Sequence, residues 1–412
     1  MATPIPTSKK AFKASLKRQS TGGPADAVIT LTPSHLAVCV SSLQDVKLFN
    51  SNLDVVDDAF EYLMSKSQKG EKGQFFTPRY VIDMCVRMLN PTAHETMIDT
   101  AAGSCGFPVH TIFYVWKKIL AERGIAQSHL FTAEKKPAAC EDYVRRNVFA
   151  IDFDEKAVRV ARTLNLIAGD GRTNVMHLNT LDYEQWDSVT REEEWQDAYH
   201  EGWKGLRGLR AAKNENRDFL FDIVMANPPF AGDIKESRII AKYELGKTKK
   251  GKYQNKVGRD ILFIERNLSF LKPGGRMAIV LPQGRFNNVS DAYIRDFIAA
   301  RCRILAVVGL HGNVFKPHTG TKTSVLFVQK WDDNLCPKRE DYPIFFATMR
   351  RPSKDRSGDK IVRTDTEGRV ILDSHGHMIV DHDLYNHDGM TEDGIAEAFA
   401  AFARREGLSF FR

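Results

Sequence analysis

Met97-Ile98-Asp99-Thr100-Ala101-Ala102-Gly103-Ser104-Cys105-Gly106-Phe107 is a short apolar run that ends in an acid and passes, through small residues, into a helical pattern. A strand that closes on Asp and a small-residue loop that opens a helix is the unit with which doubly wound sheets hold nucleotide-like ligands. Small side chains let the backbone approach the ligand, and the N–H groups of the helix start point at it. The glycines are spaced Gly-x-x-Gly (Gly103, Gly106), not Gly-x-Gly-x-x-Gly, which argues against a dinucleotide, and the missing Walker lysine argues against ATP or GTP.

Outward from this loop, strand and helix patterns alternate. Strands are expected at Met97–Asp99, Val148–Asp152, 174–178, Phe221–Ala226, 276–281, 304–309 and 324–329, with helical stretches at 80–89, 154–168, 260–271 and 290–301. The fold class is therefore α/β, a doubly wound, seven-stranded, mostly parallel sheet with helices on both faces. Residues 1–33 are rich in Ser, Thr, Pro, Gly and Lys and are expected to be a disordered basic tail. Residues 34–72 fit a short helical N-terminal segment, with Val55, Val56, Phe60, Leu63 and Met64 as one stripe. The main domain spans 73–335, with a helical insertion at 185–218. Residues 336–412 suggest a small β-rich C-terminal appendage (344–347, 370–373, 378–381) with a short terminal helix at 394–405.

The fourth strand runs into Asn227-Pro228-Pro229-Phe230. This tetrapeptide can hold a planar amine. The Asn227 side-chain oxygen accepts one N–H, and the Pro228 carbonyl, turned outward by two successive prolines, accepts the other. Phe230 can stack on the ring that bears the amine. Taken alone, the same residues also fit a strand-ending turn with an exposed Phe. The second strand ends in Asp152, where an acid suits two ribose hydroxyls. A helix cap is the other reading, and Asp154 is the better cap. Asn179, after the third strand, can meet an adenine edge or form a turn.

Composition is that of an ordinary globular protein, 42% hydrophobic and 27% charged. No apolar run reaches the length of a membrane span, and the N-terminus lacks a secretory h-region. The six cysteines and twelve histidines show no metal-ligand spacing, so no metal is expected, and reduced thiols suit a cytoplasmic location. The net charge of +7 is concentrated in two places. Residues 1–24 carry five cations and no acid. Residues 241–259 carry seven, Lys247, Lys249, Lys250, Lys252 and Lys256 among them, against Glu244 alone, and the remainder is net acidic. Such segments suit contact with a polyanion, or simple solvation.

Gly73-Gln74-Phe75-Phe76-Thr77-Pro78-Arg79, the 99–107 loop and Asn227-Pro228-Pro229-Phe230 occur in this order. Together they resemble the modification (M) subunit of type I restriction–modification systems, in the gamma class of N6-adenine DNA methyltransferases, over roughly residues 50–335. The resemblance implies an S-adenosylmethionine-dependent fold, S-adenosylmethionine as methyl donor and adenine N6 in duplex DNA as acceptor. It places Phe76, Thr77 and Pro78 in a cofactor-gripping segment and Asp99, Ala101, Gly103 and Gly106 in the cofactor loop. Asp152 falls on the ribose, Asn179 by the cofactor adenine, and Asn227, Pro228, Pro229 and Phe230 at the catalytic turn. Phe315 becomes a candidate second aromatic beside the target base, and the Lys-rich stretch a DNA-phosphate contact. It implies a specificity (S) subunit as partner and, in full systems, a restriction (R) subunit. The loop departs from the family's Asp-Pro-Ala-Cys-Gly-Ser/Thr-Gly-Gly-Phe at Thr100, Ala102 and Cys105, and a Cβ at 105 is costly if that position needs positive φ. The termini read as shortened relative to the family. Two other readings stay open: a methyltransferase acting on a protein glutamine or an RNA base amine, and a non-catalytic DNA-binding scaffold with the same fold.

Overall fold

The computed structural model describes residues 31–43, 76–128, 130, 136–167, 174–248, 250–373, 378–387 and 394–411. The tail at 1–30, the apolar stripe at 55–64, the 73–75 part of the gripping segment and Lys249 lie outside the described residues.

The strands are β1 (Met97–Asp99), β2 (Val148–Asp152), β3 (Asn174–His177), β4 (Phe221–Ala226), β5 (Asp233–Ile234), β6 (Val257–Gly258), β7 (Leu271–Pro282), β8 (Cys302–Gly309), β9 (Thr323–Lys330) and β10 (Phe345–Thr348). The helices of two turns or more are α1 (Pro33–Leu43), α2 (Arg79–Leu89), α3 (Gly106–Glu122), α4 (Ala138–Asn147), α5 (Glu155–Ile167), α6 (Glu193–Arg207), α7 (Arg259–Phe270), α8 (Ala292–Arg301) and α9 (Ile395–Arg405). All seven expected strands form one sheet, in the order β3-β2-β1-β4-β7-β9-β8, with β9 antiparallel to both neighbours. The strand count differs from the expected seven. β10, read from sequence as part of the appendage, pairs in parallel with β8 and makes the sheet eight-stranded. Its four residues carry no signal of which edge they join.

Alternation along the central strands explains the two layers. In β4, Ile223 and Met225 face one apolar layer with α2, α3 and α4, and Val224 faces the other with α7. β7 does the same with Ala278 and Val280 against Met277, Ile279 and Leu281. Each such fully buried side chain contributes on the order of 2 kcal/mol. A one-residue slip of β4 would reverse every one of them, so the register is firmly set. That register fixes where Asn227 emerges.

The insertion is helical, as the sequence suggests. α6 packs on β3, and its Trp203 meets both Trp186 and Trp195 edge-on. Between residues 354 and 380 the backbone pairs through isolated antiparallel bridges, and α9 packs on α2 and beside β10. No helix among the described residues is long and apolar enough to cross a membrane.

Candidate active site at the carboxyl edge of the sheet

Pairing register brings the distant motifs together. Asp99 lies opposite Ala150 on one side and Met225 on the other. Two residues past that row come Asp152 and Asn227, which therefore leave their strands on either side of the loop that follows β1. The sheet order reverses at the same place: β1 continues outward to β2 and β3, while β4 starts the other half. Doubly wound sheets bind their ligands at this switch point.

One cavity is bordered by Phe76, Thr77, Asp99, Ala101, Gly103 and Gly106 and also by Asp152, Asn227 and Pro229. Ile82, Ala102, Ser104 and Phe107 complete its wall and were missed in the sequence. Ile82 and Phe107 sit on the apolar faces of α2 and α3, where a wall residue looks like any other core residue. Pro78 is the residue before α2. Pro228 is buried and Phe230 half-buried, and neither borders the cavity. Phe230 packs edge-on to Phe315, ring centroids 6.1 Å apart at 87°. Phe315 is itself buried, so it supports Phe230 and does not present a free face. Asn179 does not border the cavity either, and its Oδ1 accepts the Leu181 N–H at 3.1 Å in the turn after β3. The turn reading of Asn179 is the one the geometry matches.

The loop is held by its own acids. Asp99 Oδ1 accepts the Ala101 N–H (3.0 Å), and Asp152 Oδ2 accepts the Gly103 N–H (2.7 Å). Asp152 Oδ1 takes the Asp154 N–H, while Asp154 caps α5 through the Lys156 and Ala157 N–H groups. Both cavity carboxyls are buried, and burial pushes both above the ordinary carboxylate value; for Asp99 the nearby Asp152 charge adds to it. Neither makes an ion pair among the described residues, so a cationic, hydroxyl-bearing ligand would offset the burial of both.

Gly103 has φ +49°, and a Cβ there would lie 3.6 Å from the Phe76 ring. That ring borders the cavity, whose volume is about 60 Å³. At Gly106 a Cβ would meet Ile82 Cδ1 at 2.5 Å, so a side chain there would push the end of Ile82 aside where α2 meets α3. α2 is pinned in turn by Asp83. Its Oδ1 meets His110 Nδ1 at 2.6 Å, and its Oδ2 accepts the Tyr385 hydroxyl at 3.2 Å. Burial works to raise this carboxyl, but the charge and hydrogen bond of His110, with Arg79 and Arg87, outweigh it and hold it low.

Cys105 is fully buried at φ +62°, ψ +28°, the left-handed conformation flagged in the sequence. A side chain there costs on the order of 1 kcal/mol. At an ordinary site Ala is more stable than Gly by about 0.5–1 kcal/mol. Here the order reverses: Cys105→Gly is expected to equal or exceed Cys105→Ala by up to about 1 kcal/mol in urea unfolding. A clearly more stable Ala variant would show that the loop is not left-handed at 105.

Thr100, another departure, is buried and tied. Its Oγ1 lies 2.6 Å from Asn267 Oδ1, and its carbonyl accepts the Thr180 hydroxyl at 2.6 Å. The Thr180 carbonyl in turn accepts the Arg266 Nε–H at 3.0 Å. α7 therefore reaches the cofactor-type loop through two links, of which a proline at 100 would lose the hydroxyl bond to Asn267 and keep the carbonyl bond to Thr180.

Directly after Asn227-Pro228-Pro229-Phe230 the chain leaves the sheet, and β5 and β6 pair antiparallel at the base of the Lys-rich excursion. Lys247, Lys250 and Lys252 are exposed on it. Lys247 Nζ lies 5.3 Å over the Tyr253 ring, and Lys256 pairs with Asp233 at 3.2 Å. Arg285 clamps the return point, with Nε 2.7 Å from Asp260 Oδ2 and Nη1 3.0 Å from Asp291 Oδ2.

The family model described as N-6 DNA Methylase matches residues 51–393. The methylase subunit of the type I restriction enzyme EcoEI from Escherichia coli is 23% identical over 295 residues, 70% of this chain and 48% of that protein. The chain thus spans about half the length of the curated relatives it matches. Among solved structures, a chain of a type I R-M system, solved for its complex assembly and conformational transition, aligns with TM-score 0.53 at 19% identity, over 87% of this chain and 66% of that one. A Listeria monocytogenes protein assigned to the class I S-adenosylmethionine-dependent methyltransferases aligns with TM-score 0.51 at 17% identity, over 77% and 80%. At these identities the structural likeness establishes the fold.

Proposed function

The chain belongs to the N-6 DNA methylase family, and from that premise we propose that it transfers a methyl group from S-adenosylmethionine to adenine N6 in duplex DNA. In this reading it is the cytoplasmic modification subunit of a type I restriction–modification system, with a specificity subunit choosing the sequence and a restriction subunit joining the full assembly. The observation that carries the reading is the single cavity bordered at once by the Gly103 loop and by Asn227 and Pro229.

The residues present fit the cofactor. Two buried carboxyls, without a cationic partner among the described residues, face a loop of small residues, and the start of α3 opens onto the same space. Asp99, Ala101, Gly103 and Gly106 would hold it with Asp152, under Phe76 and Thr77. Admitting a ligand of nucleoside size requires the Phe76 ring to draw back from Gly103. Bound there, S-adenosylmethionine supplies an electrophilic methyl on a sulfonium. The chain supplies position. Asn227 Oδ1 and the Pro228 carbonyl accept the two N–H bonds of the adenine amine and keep its lone pair out of ring conjugation. Phe230, braced by Phe315, stacks on the base. The adenine leaves the duplex to reach them, because its N6 is out of reach while stacked. With the donor already activated, positioning and desolvation account for most of the rate. Lys247, Lys249, Lys250, Lys252 and Lys256 contact phosphates, which gives salt-dependent affinity without sequence choice.

A pH dependence follows from the raised acids. In the unliganded fold Asp99 and Asp152 bind their protons more tightly than in the unfolded chain, where the carboxyl value is near 3.8. Their ionisation therefore costs stability as pH rises from about that value through their raised ones, and the cost is fully present above them. A cationic ligand offsets it. The thermal stabilisation by S-adenosylmethionine is expected to be largest at neutral to alkaline pH and to shrink as pH falls into the carboxyl range. A pH-independent shift would contradict ionised Asp99 and Asp152 as the cofactor's partners. The function itself is tested by transfer of labelled methyl from S-adenosylmethionine to duplex DNA, RNA and protein in parallel. Label is expected in DNA, and label confined to RNA or protein would overturn the acceptor.

A further inference from the structure

The carboxyl edge of the sheet carries a second cleft, of about 560 Å³, between the single helical turn at 284–287 and the ends of β8 and β10. No carboxylate lines it. Arg350 is its only charged side chain, and among the described residues that guanidinium makes no ion pair or hydrogen bond. Gln283 and Asn287 are exposed amides on its wall, each able to donate and accept. Phe346 lines it too and is 71% exposed, a large aromatic face on an otherwise well-covered sheet.

We infer that this cleft binds a nucleotide of the DNA strand a few positions away from the adenine held at Asn227; the inference rests on the DNA reading above. Spacing supports it. β10 stands four strand intervals from β4, roughly 19 Å at the usual separation. One DNA strand advances about 3.4 Å per nucleotide. A strand laid along this edge from Asn227 therefore reaches the cleft within about six nucleotides. Chemistry supports it as well. An unpaired guanidinium takes a phosphate, an exposed aromatic face takes a base of any identity, and amides read base edges. The Lys-rich excursion joins the two regions: it returns at β6 to the Arg285–Asp260 clamp, and Arg285 lies in the helical turn that walls the cleft. A partner helix would call for a continuous apolar wall, whereas this one alternates amide, aromatic and cation.

The test uses the chain purified with the subunits that assemble with it. Duplexes carry 5-iododeoxyuridine at one position at a time along the strand to be methylated. Photocross-linking to Phe346 is expected at one position within about six nucleotides of the adenine, and is lost in Phe346→Ala. Arg350→Ala is expected to raise KM for DNA about five- to tenfold and to lower the salt slope of binding by about one. Its kcat at saturating DNA and its S-adenosylmethionine affinity stay at wild type, which also reports an intact fold. Both variants behaving as wild type in KM and cross-linking, while DNA is still methylated, would overturn the inference and leave the function standing. So would loss of a co-purifying subunit with KM for DNA unchanged, which would assign the cleft to a protein. Wild-type protein that neither binds nor methylates DNA would remove the function and this site together.

Discussion

Asn227→Ala lowers the kcat for methyl transfer by about 10²–10³-fold and leaves S-adenosylmethionine affinity within twofold of wild type. The magnitude is that of removing one preorganised hydrogen-bond partner from a reacting group. The separation of the two effects follows from position. Asn227 emerges from β4 across the cavity from Asp152 and Gly103, so it borders the space without holding the loop. The backbone of the turn is fixed by the two prolines and by the β4 register, so the truncation removes an acceptor and little else. Asn227→Asp keeps an oxygen in place and is expected to retain more activity than Asn227→Ala. Single-turnover transfer and equilibrium cofactor binding on the same preparations measure both halves. Equal loss of cofactor affinity and turnover would place Asn227 on the donor side of the cavity.

The largest stability effect is expected at Arg266, where replacement by Ala costs about 3–5 kcal/mol. This side chain is 1% exposed. Its guanidinium donates to the carbonyls of Thr180 (3.0 Å), Asn216 (2.8 Å) and Arg217, and sits 4.3 Å over Phe270 and 4.5 Å over Tyr183. No carboxylate pairs with it in that shell, and burial draws its pKa down to about 10. Truncation strands two buried acceptors, the Thr180 and Asn216 carbonyls, at about 1–3 kcal/mol each, and opens a cavity among aromatic rings. Relief from burying a charge offsets part of that. Because Thr180 links Arg266 to Thr100, the same variant is expected to loosen the cofactor loop. The urea midpoint reports the stability loss, and a change under 1 kcal/mol would mean that the carbonyls find water or one another.

Much of the fold was legible because its signals are local. Seven strands, the Gly103 loop and the turn at Asn227 each announce themselves within ten residues, and a doubly wound topology then brings Asp99, Asp152 and Asn227 to one edge. The positive φ at Cys105 was legible as a departure from a pattern, since only the backbone's handedness decides what a Cβ costs there. What escaped depends on contacts between segments far apart. β10 could have paired anywhere with an open edge. Asn179 carries the same side chain whether it meets a ligand or closes a turn, and the turn at Leu181 uses its oxygen. Ile82 and Phe107 read as core because the cavity wall is an extension of the core. Arg266 reads as a surface residue of α7 until Tyr183, Phe219 and Phe270 are folded around it.

The most direct measurement is nucleoside mass spectrometry of duplex DNA after incubation with deuterated-methyl S-adenosylmethionine and the protein assembled with its co-purifying subunits. The expected product is N6-methyladenine bearing the intact deuterated methyl, formed by the wild type and absent with Asn227→Ala. No methylated adenine from a preparation that binds both DNA and cofactor, or equal yield from the Asn227 variant, would contradict a cavity in which this turn presents the acceptor amine to the donor.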